Sequence, residues 1–393
     1  MPSTEIVIAS ARRTPLGAFQ GALAGLSAPQ LGAAALKGAL DAAGIAPAAV
    51  DEVILGCVLA AGLGQAPARQ AAIAAGVPPA TPATTLNKMC GSGLKAVMMA
   101  ADQIRAGGAE IVLAGGFESM TRAPYLLPKA RGGYRMGHGE IIDHMFFDGL
   151  QSPFDGKLMG CFADATAARY GLTREQQDAF AAESVHRAVR AQAQAFEVEI
   201  VPVAVKDRKA ERIVTHDETP QTCDPSKIPT LRPAFSKDGT VTAASASSIA
   251  DGAAAVVVMD ARSARSHDVT PLARIVAYAS HAQEPEWFTT APVGAVRKVL
   301  GMLGWQPGDV DLYEINEAFA AVTLVAMRDL GLDHARVNVN GGACALGHPL
   351  GATGARILTT LLHALRARNG RRGIAALCIG GGEAVAVAVE MIG

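Results

Sequence analysis

Aromatic side chains make up only 5% of the 393 residues, and cysteine occurs six times, at positions 57, 90, 161, 223, 344 and 378. No two cysteines form a CxxC pair, and they are too sparse for a disulfide scaffold, so reduced thiols are the expectation. Net charge is scarce too, at −1, which argues against partners such as nucleic acid or an anionic membrane surface. Apolar runs are too short, or too broken by charge and glycine, to span a bilayer. The opening MPSTEIVIASARRTP enters a strand-like segment almost at once, without the apolar core of a signal peptide, and the closing VEMIG is no address tag. A cytoplasmic protein is expected. What the chain does have is 50% hydrophobic residues and 42 glycines, the composition of a tightly packed α/β protein of two or three domains.

Strand-like pieces at 5–9, 52–55, 111–114, 311–315, 374–379 and 384–390 alternate with helical patterns. Leu94, Val97, Met98, Ala101 and Ile104 share one helical face, and Ile357, Leu358, Leu361, Leu362 and Leu365 share another. Such alternation predicts a mainly parallel sheet covered by helices on its faces. The chain also repeats itself. Gly44-Ile-Ala-Pro47-Ala-Ala-Val50-Asp51 aligns without gaps on Gly304-Trp-Gln-Pro307-Gly-Asp-Val310-Asp311, and each copy continues through a glycine-rich turn, a long helix and a further strand. Two copies of one module imply a pseudo-symmetric pair of core domains with a shared site between them. Residues 119–245 interrupt the pattern with irregular Pro, Gly, Arg, His and Met. They contain one clear helix start, Thr173-Arg-Glu-Gln176, a capping box. The expected division is 1–118 with 246–270, an inserted loop domain at 119–245, and 271–393. The insert either covers a site, builds an oligomer or decorates the surface.

Cys90 lies in NKMCGSGLKA, directly before a helix. A thiol there feels the helix N-terminus, which favours the thiolate. Gly91, Ser92 and Gly93 leave room for a carbonyl, whose developing charge backbone N–H groups can receive. A plain buried cysteine fits the same stretch. His348, between glycines and Pro349 in NGGACALGHPLGATGAR, occupies the repeat's counterpart of that region and is a candidate base for activating a thiol. Cys378 ends an apolar strand before Gly380-Gly381-Gly382. A phosphate-cradling reading of that run lacks the GxGxxG or GxxxxGKS/T context. Asn316 opens NEAFA where the repeat has Gly56, and is either a polarising amide or a helix cap.

NKMCGSGLKA, GGFESMTRAPY, NEAFA, NGGACALGHPLGATGAR and CIGGGEA together, in this order and across essentially the whole chain, closely resemble the motif set of the thiolases. These are the acetyl-CoA acetyltransferases and 3-ketoacyl-CoA thiolases. The resemblance implies a five-layer αβαβα fold of two duplicated core domains plus the inserted loop domain. It implies Cys90 as the acylated nucleophile, His348 as its base and Cys378 as the acid/base at the α-carbon. Asn316 with His348 would form one oxyanion hole, and the N–H groups of Cys90 and Gly380 the other. Leu150, Met159, Phe235, Ala243, Ser247, Ala318 and Phe319 would line the acyl and pantetheine tunnel, with Met159 keeping the acyl pocket short. Coenzyme A thioesters are then substrates, no cofactor or metal is expected, and the chain is expected to be a homotetramer built as a dimer of dimers. The reaction implied is reversible condensation of two acetyl-CoA into acetoacetyl-CoA and CoA. The alternative is a thiolase of broader or longer chain length.

Several residues depart from the family pattern: Leu158 for a frequent His, Pro220 and Lys227 at CoA-touching positions, Ser245 for Asn, and Glu383 for Met or Gln. Cys344 fills a usually aliphatic position and reads as buried and inert. Competing readings fit less well. A ketoacyl-acyl carrier protein synthase lacks a second catalytic thiol. A non-catalytic CoA- or lipid-binding relative is expected to have lost one of Cys90, His348 or Cys378. A dinucleotide-binding dehydrogenase needs GxGxxG after the first strand.

Overall fold

The computed structural model describes residues 4–206 and 211–392. Among them, one large sheet runs in the order Ala83–Leu86, Glu52–Gly56, Ile111–Ser119, Ala250–Asp260, Ile6–Arg13, Ala273–Ala282, Glu383–Met391, Arg372–Ile379, Leu312–Ile315. The order is a palindrome of the repeat. Each half has a parallel pair near its outer edge and antiparallel strands inward, and the halves join through Val7–Arg274 and Ile8–Ala273.

Alternation of side chains gives each half-sheet two apolar faces. One face of both halves packs on the helices Ser92–Arg105 and Leu350–Ala367, which carry the apolar rows noted above and lie in a single core with Ile8, Val112, Val258, Leu377 and Val387. The opposite faces are covered by Ala28–Ala43 and Pro67–Ala74 on the first half and by Ala291–Leu303 and Ala320–Leu330 on the second. The result is five alternating layers. Leu350–Ala367 is buried almost all round, as a helix must be when sheets flank it on both sides.

The repeat has a visible physical basis. Gly44 and Gly304 end their helices at φ 67° and 65°, the left-handed conformation that glycine adopts without strain. Asp51 accepts from the N–H groups of Glu110 and Ile111. Asp311 does the same with Arg371 and Arg372. Each aspartate pins the start of its neighbouring strand.

Three expectations need correction. The sheet is mixed and mostly antiparallel, because Arg372–Ile379 returns through a tight glycine hairpin into Glu383–Met391 rather than through a helical crossover, and Ala250–Asp260 enters from the insert. Second, the strand at 111 does not stop at Ala114 but runs to Ser119. Gly115 and Gly116 are strand residues: a Cβ on Gly116 would lie 1.9 Å from the Gly351 oxygen, so glycine there admits the central helix. Third, the insert is more regular than its composition suggests. Besides Arg174–Gln194, capped by Thr173 and Gln176, it holds the helix Met159–Tyr170 and two short antiparallel strand pairs. Its long helix reaches the second half, where Ser184 donates to Glu317 at 2.7 Å.

Candidate active site

Strand Ala83–Leu86 feeds a turn in which Met89 takes φ 48°, a left-handed conformation that strains a side-chain-bearing residue by roughly 1–3 kcal/mol. Local bonds hold it. The Asn87 carboxamide oxygen accepts from Met89 N–H at 2.8 Å, while Ser92 Oγ accepts from Lys88 N–H and donates to the Met89 carbonyl. Cys90 follows, half-buried. The neighbouring glycines do not leave the open room the sequence suggested. A Cβ on Gly91 would sit 2.4 Å from Ile379, and one on Gly93 2.8 Å from the Ala355 nitrogen. Their smallness lets the second half of the molecule close on the Cys90 turn.

Nor is Cys90 a resting thiolate. Burial pushes its thiol up to about 11, against the opposing pull of the Gly380 N–H and its own N–H, with Glu118 adding to the rise. A helix terminus favours the thiolate, but desolvation outweighs it here. Cys378 is fully buried on its strand. Burial, then the nearby Cys90 sulfur, raise it well above the ordinary thiol value. The two thiols therefore come together across the halves, both protonated.

His348 is 5% exposed. Its Nδ1 lies 2.6 Å from Thr353 Oγ1, and that hydroxyl donates to the Pro349 carbonyl at 2.8 Å. With the hydroxyl proton on that carbonyl, Nδ1–H is the donor to Thr353. That leaves Nε2 as a bare lone pair, and Nε2 has no partner. Burial, with Arg356 assisting, holds the imidazole down to about 3, so the ring is neutral. Asn316 closes the strand beside that of Cys378, its N–H bonded to the Ala376 carbonyl. Both polar atoms of its carboxamide are buried and unpartnered. Buried polar atoms rarely go unmatched, and among the described residues Asn316 stands out with Gln192 in leaving both atoms of its amide so.

A cavity with about 620 Å³ of empty space is lined by His348, Leu150, Met159, Phe235, Ser247 and Phe319, together with Leu158 and Met120. Of the expected tunnel residues, Ala318 lies behind this wall in the apolar cluster around Cys378, where its carbonyl accepts from Ser247 N–H. Ala243 is exposed and outside the lining. A second cleft meets Met89, Met159 and Gly380. Met159 stands between the two, its sulfur 3.5 Å from where a Cβ on Gly380 would be.

The departing residues also find places. Leu158 lines the cavity, Pro220 is buried, and Lys227 is exposed beside Asp224. Ser245 Oγ accepts from Thr242 N–H at 2.8 Å. Cys344 is buried against Glu317, as expected. Sequence reasoning missed Thr353, and it missed Glu118, whose carboxylate accepts from the N–H groups of Val58, Leu59 and Gly351 and so ties three segments beneath the site. A carboxylate inside the otherwise apolar run Ile111–Ser119 was the available signal. It also missed Arg356, fully buried 3.7 Å from Glu314.

Residues 6–262 match the family model "Thiolase, N-terminal domain" and residues 269–391 match "Thiolase, C-terminal domain". The chain therefore belongs to the thiolase family. It is 52% identical over 390 residues to the acetyl-CoA acetyltransferase of Cupriavidus necator, covering 98% of this chain and 99% of that one. The Escherichia coli acetyl-CoA acetyltransferase is 50% identical, at 98% and 99% coverage. The crystal structure of the Bacillus anthracis acetyl-CoA acetyltransferase superposes with a TM-score of 0.96 at 41% identity, covering 99% of each chain.

Proposed function

We propose that this chain is an acetyl-CoA acetyltransferase that reversibly joins two acetyl-CoA into acetoacetyl-CoA and CoA through an acyl-Cys90 intermediate. The observation that carries the reading is the approach of Cys90 and Cys378 from opposite halves of the repeat, with Cys90 packed near Leu350 on the wall of the cavity that the uncharged His348 also lines, its Nε2 without a partner. In the thiolysis direction His348 takes the Cys90 proton as the sulfur attacks the 3-keto carbonyl. The Cα–Cβ bond breaks, and the departing enolate takes its proton from Cys378. CoA then attacks the acyl-enzyme, giving its proton to Cys378. The released Cys90 sulfur recovers its own from His348, and every group returns to its starting state. The unpartnered Asn316 amide and the N–H groups of Gly380 and Cys90 are the donors assigned to the two developing oxyanions. Two thiols are needed because one sulfur cannot carry an acyl group and move a carbon-bound proton together.

Met159 beside Gly380 favours short acyl chains. The CoA thioester is a substrate, and the mechanism calls on no resident cofactor. The division at 119–245, a cytoplasmic location and a dimer-of-dimers tetramer belong to the same reading. Exposed Tyr125, Leu127, Met136 and Ile141 on the insert support the last. Thiolysis of 3-ketoacyl-CoA of four to sixteen carbons tests the substrate, and a maximum at long chains would overturn the short-chain assignment. Mass spectrometry after acetyl-CoA exposure tests the roles. Cys90→Ser should carry no acyl group, whereas Cys378→Ser should be acylated yet unable to exchange carbon–carbon bonds.

A further inference from the structure

Lys88 stands two residues before the nucleophile, and Glu383 directly follows the Gly380-Gly381-Gly382 hairpin. The Lys88 Nζ lies 2.6 and 2.5 Å from the two Glu383 oxygens, with the side chains 29% and 34% exposed. The bonds that shape the Cys90 turn are all local to residues 87–92. They make the turn a rigid unit, which meets the other half through the packing of Gly91 on Ile379 and through this ion pair. Glu383, in contrast, is anchored in the second half, paired with Ile379 on one side and Ala282 on the other. Between these anchors lies Gly380, whose N–H faces the Cys90 sulfur. Gly381 and Gly382, at φ 94° and 90°, carry no side chains that could hold it there.

We propose that the Lys88–Glu383 ion pair is a latch across the two halves that sets the distance between the Cys90 nucleophile and the Gly380 N–H. Both are positioning residues, and the inference rests on the roles proposed above for Cys90 and Gly380. An ion pair in open water contributes little. This one spans both carboxylate oxygens, is two-thirds shielded, and joins two segments already stiff in themselves. Its contribution is therefore geometric. A displacement of about 1 Å at a reacting centre slows turnover by as much as roughly 100-fold.

The test uses the purified full chain in acetoacetyl-CoA thiolysis. Lys88→Met and Glu383→Gln should each lower kcat by about 10- to 100-fold, with KM for acetoacetyl-CoA changed less than about threefold. Lys88→Arg keeps the cation but changes the length and shape of the tether, so its kcat should fall between that of Lys88→Met and the parent. Thermal unfolding of each variant is followed in parallel, because a merely structural pair lowers Tm and leaves kcat alone. Parent-like kcat in Lys88→Met and Glu383→Gln, or a Lys88→Arg as impaired as Lys88→Met, overturns the latch while leaving the thiolase reading standing. A parent protein without thiolysis overturns both.

Discussion

Replacing Thr353 by Val keeps the branched shape on the central helix but removes the hydroxyl that holds the His348 imidazole. The ring is enclosed, with Nδ1 2.6 Å from Thr353 Oγ1. Without that oxygen, Nδ1–H is a buried donor with no acceptor, which costs about 1–3 kcal/mol. The ring escapes by rotating, or by moving its proton to Nε2, and either response takes the lone pair away from the cavity. If about 1–2 kcal/mol of that cost falls on the productive tautomer, acylation of Cys90 slows by roughly 5- to 30-fold. Single-turnover acylation by acetoacetyl-CoA, quenched and read by mass spectrometry, measures the step directly. Thr353→Ser, which retains the hydroxyl, should recover most of the rate. Acylation by Thr353→Val at the parental rate would refute the tautomer argument.

The His348 shift has a definite sign. With the imidazole held down to about 3, acylation should show no acid limb near the ordinary histidine value of about 6.5, and a limb there would count against the burial argument. For stability, the unfolded chain binds a proton at His348 between about 3 and 6.5 that the folded protein does not. Stability therefore declines as pH falls through that window, and His348→Gln should flatten the decline in denaturant titrations. Gly116→Ala places a Cβ 1.9 Å from the Gly351 oxygen, backbone against backbone, so the central helix must move. A loss of at least about 3 kcal/mol, or insoluble protein, is expected, and a parent-like unfolding midpoint would contradict the packing.

Much of the fold was legible because the repeat carries its own stops and starts. Gly44 and Gly304, with Asp51 and Asp311 behind them, end one helix and pin one strand in each half. Strand direction was not legible. A run such as Glu383–Met391 looks the same whether it arrives by a hairpin or a crossover, and only the three-glycine turn before it hinted at the antiparallel return. The helix Met159–Tyr170 was hidden by its content: Gly160, Ala163, Ala167 and Ala168 give little apolar contrast, and no side chain caps its start. At the site, the identities of Cys90, His348, Cys378 and Asn316 stood out from their glycine-rich settings. Their protonation states did not, because a helix terminus can be read from the chain whereas desolvation cannot.

The sequence alone determined which chemical groups are available: two thiols, an imidazole and an amide, each at a strand end or glycine turn of a duplicated module. Those facts follow from local chemistry and the order of residues. The tertiary structure decided that the glycines beside Cys90 serve close packing against Ile379 and Ala355, that Thr353 sets the imidazole tautomer, and that both sulfurs hold their protons at rest. The Thr353 bond is local to the start of one helix, but the packing and the two protonation states depend on what residues hundreds of positions apart exclude from one another, water above all, and exclusion from water is a property of the packed molecule.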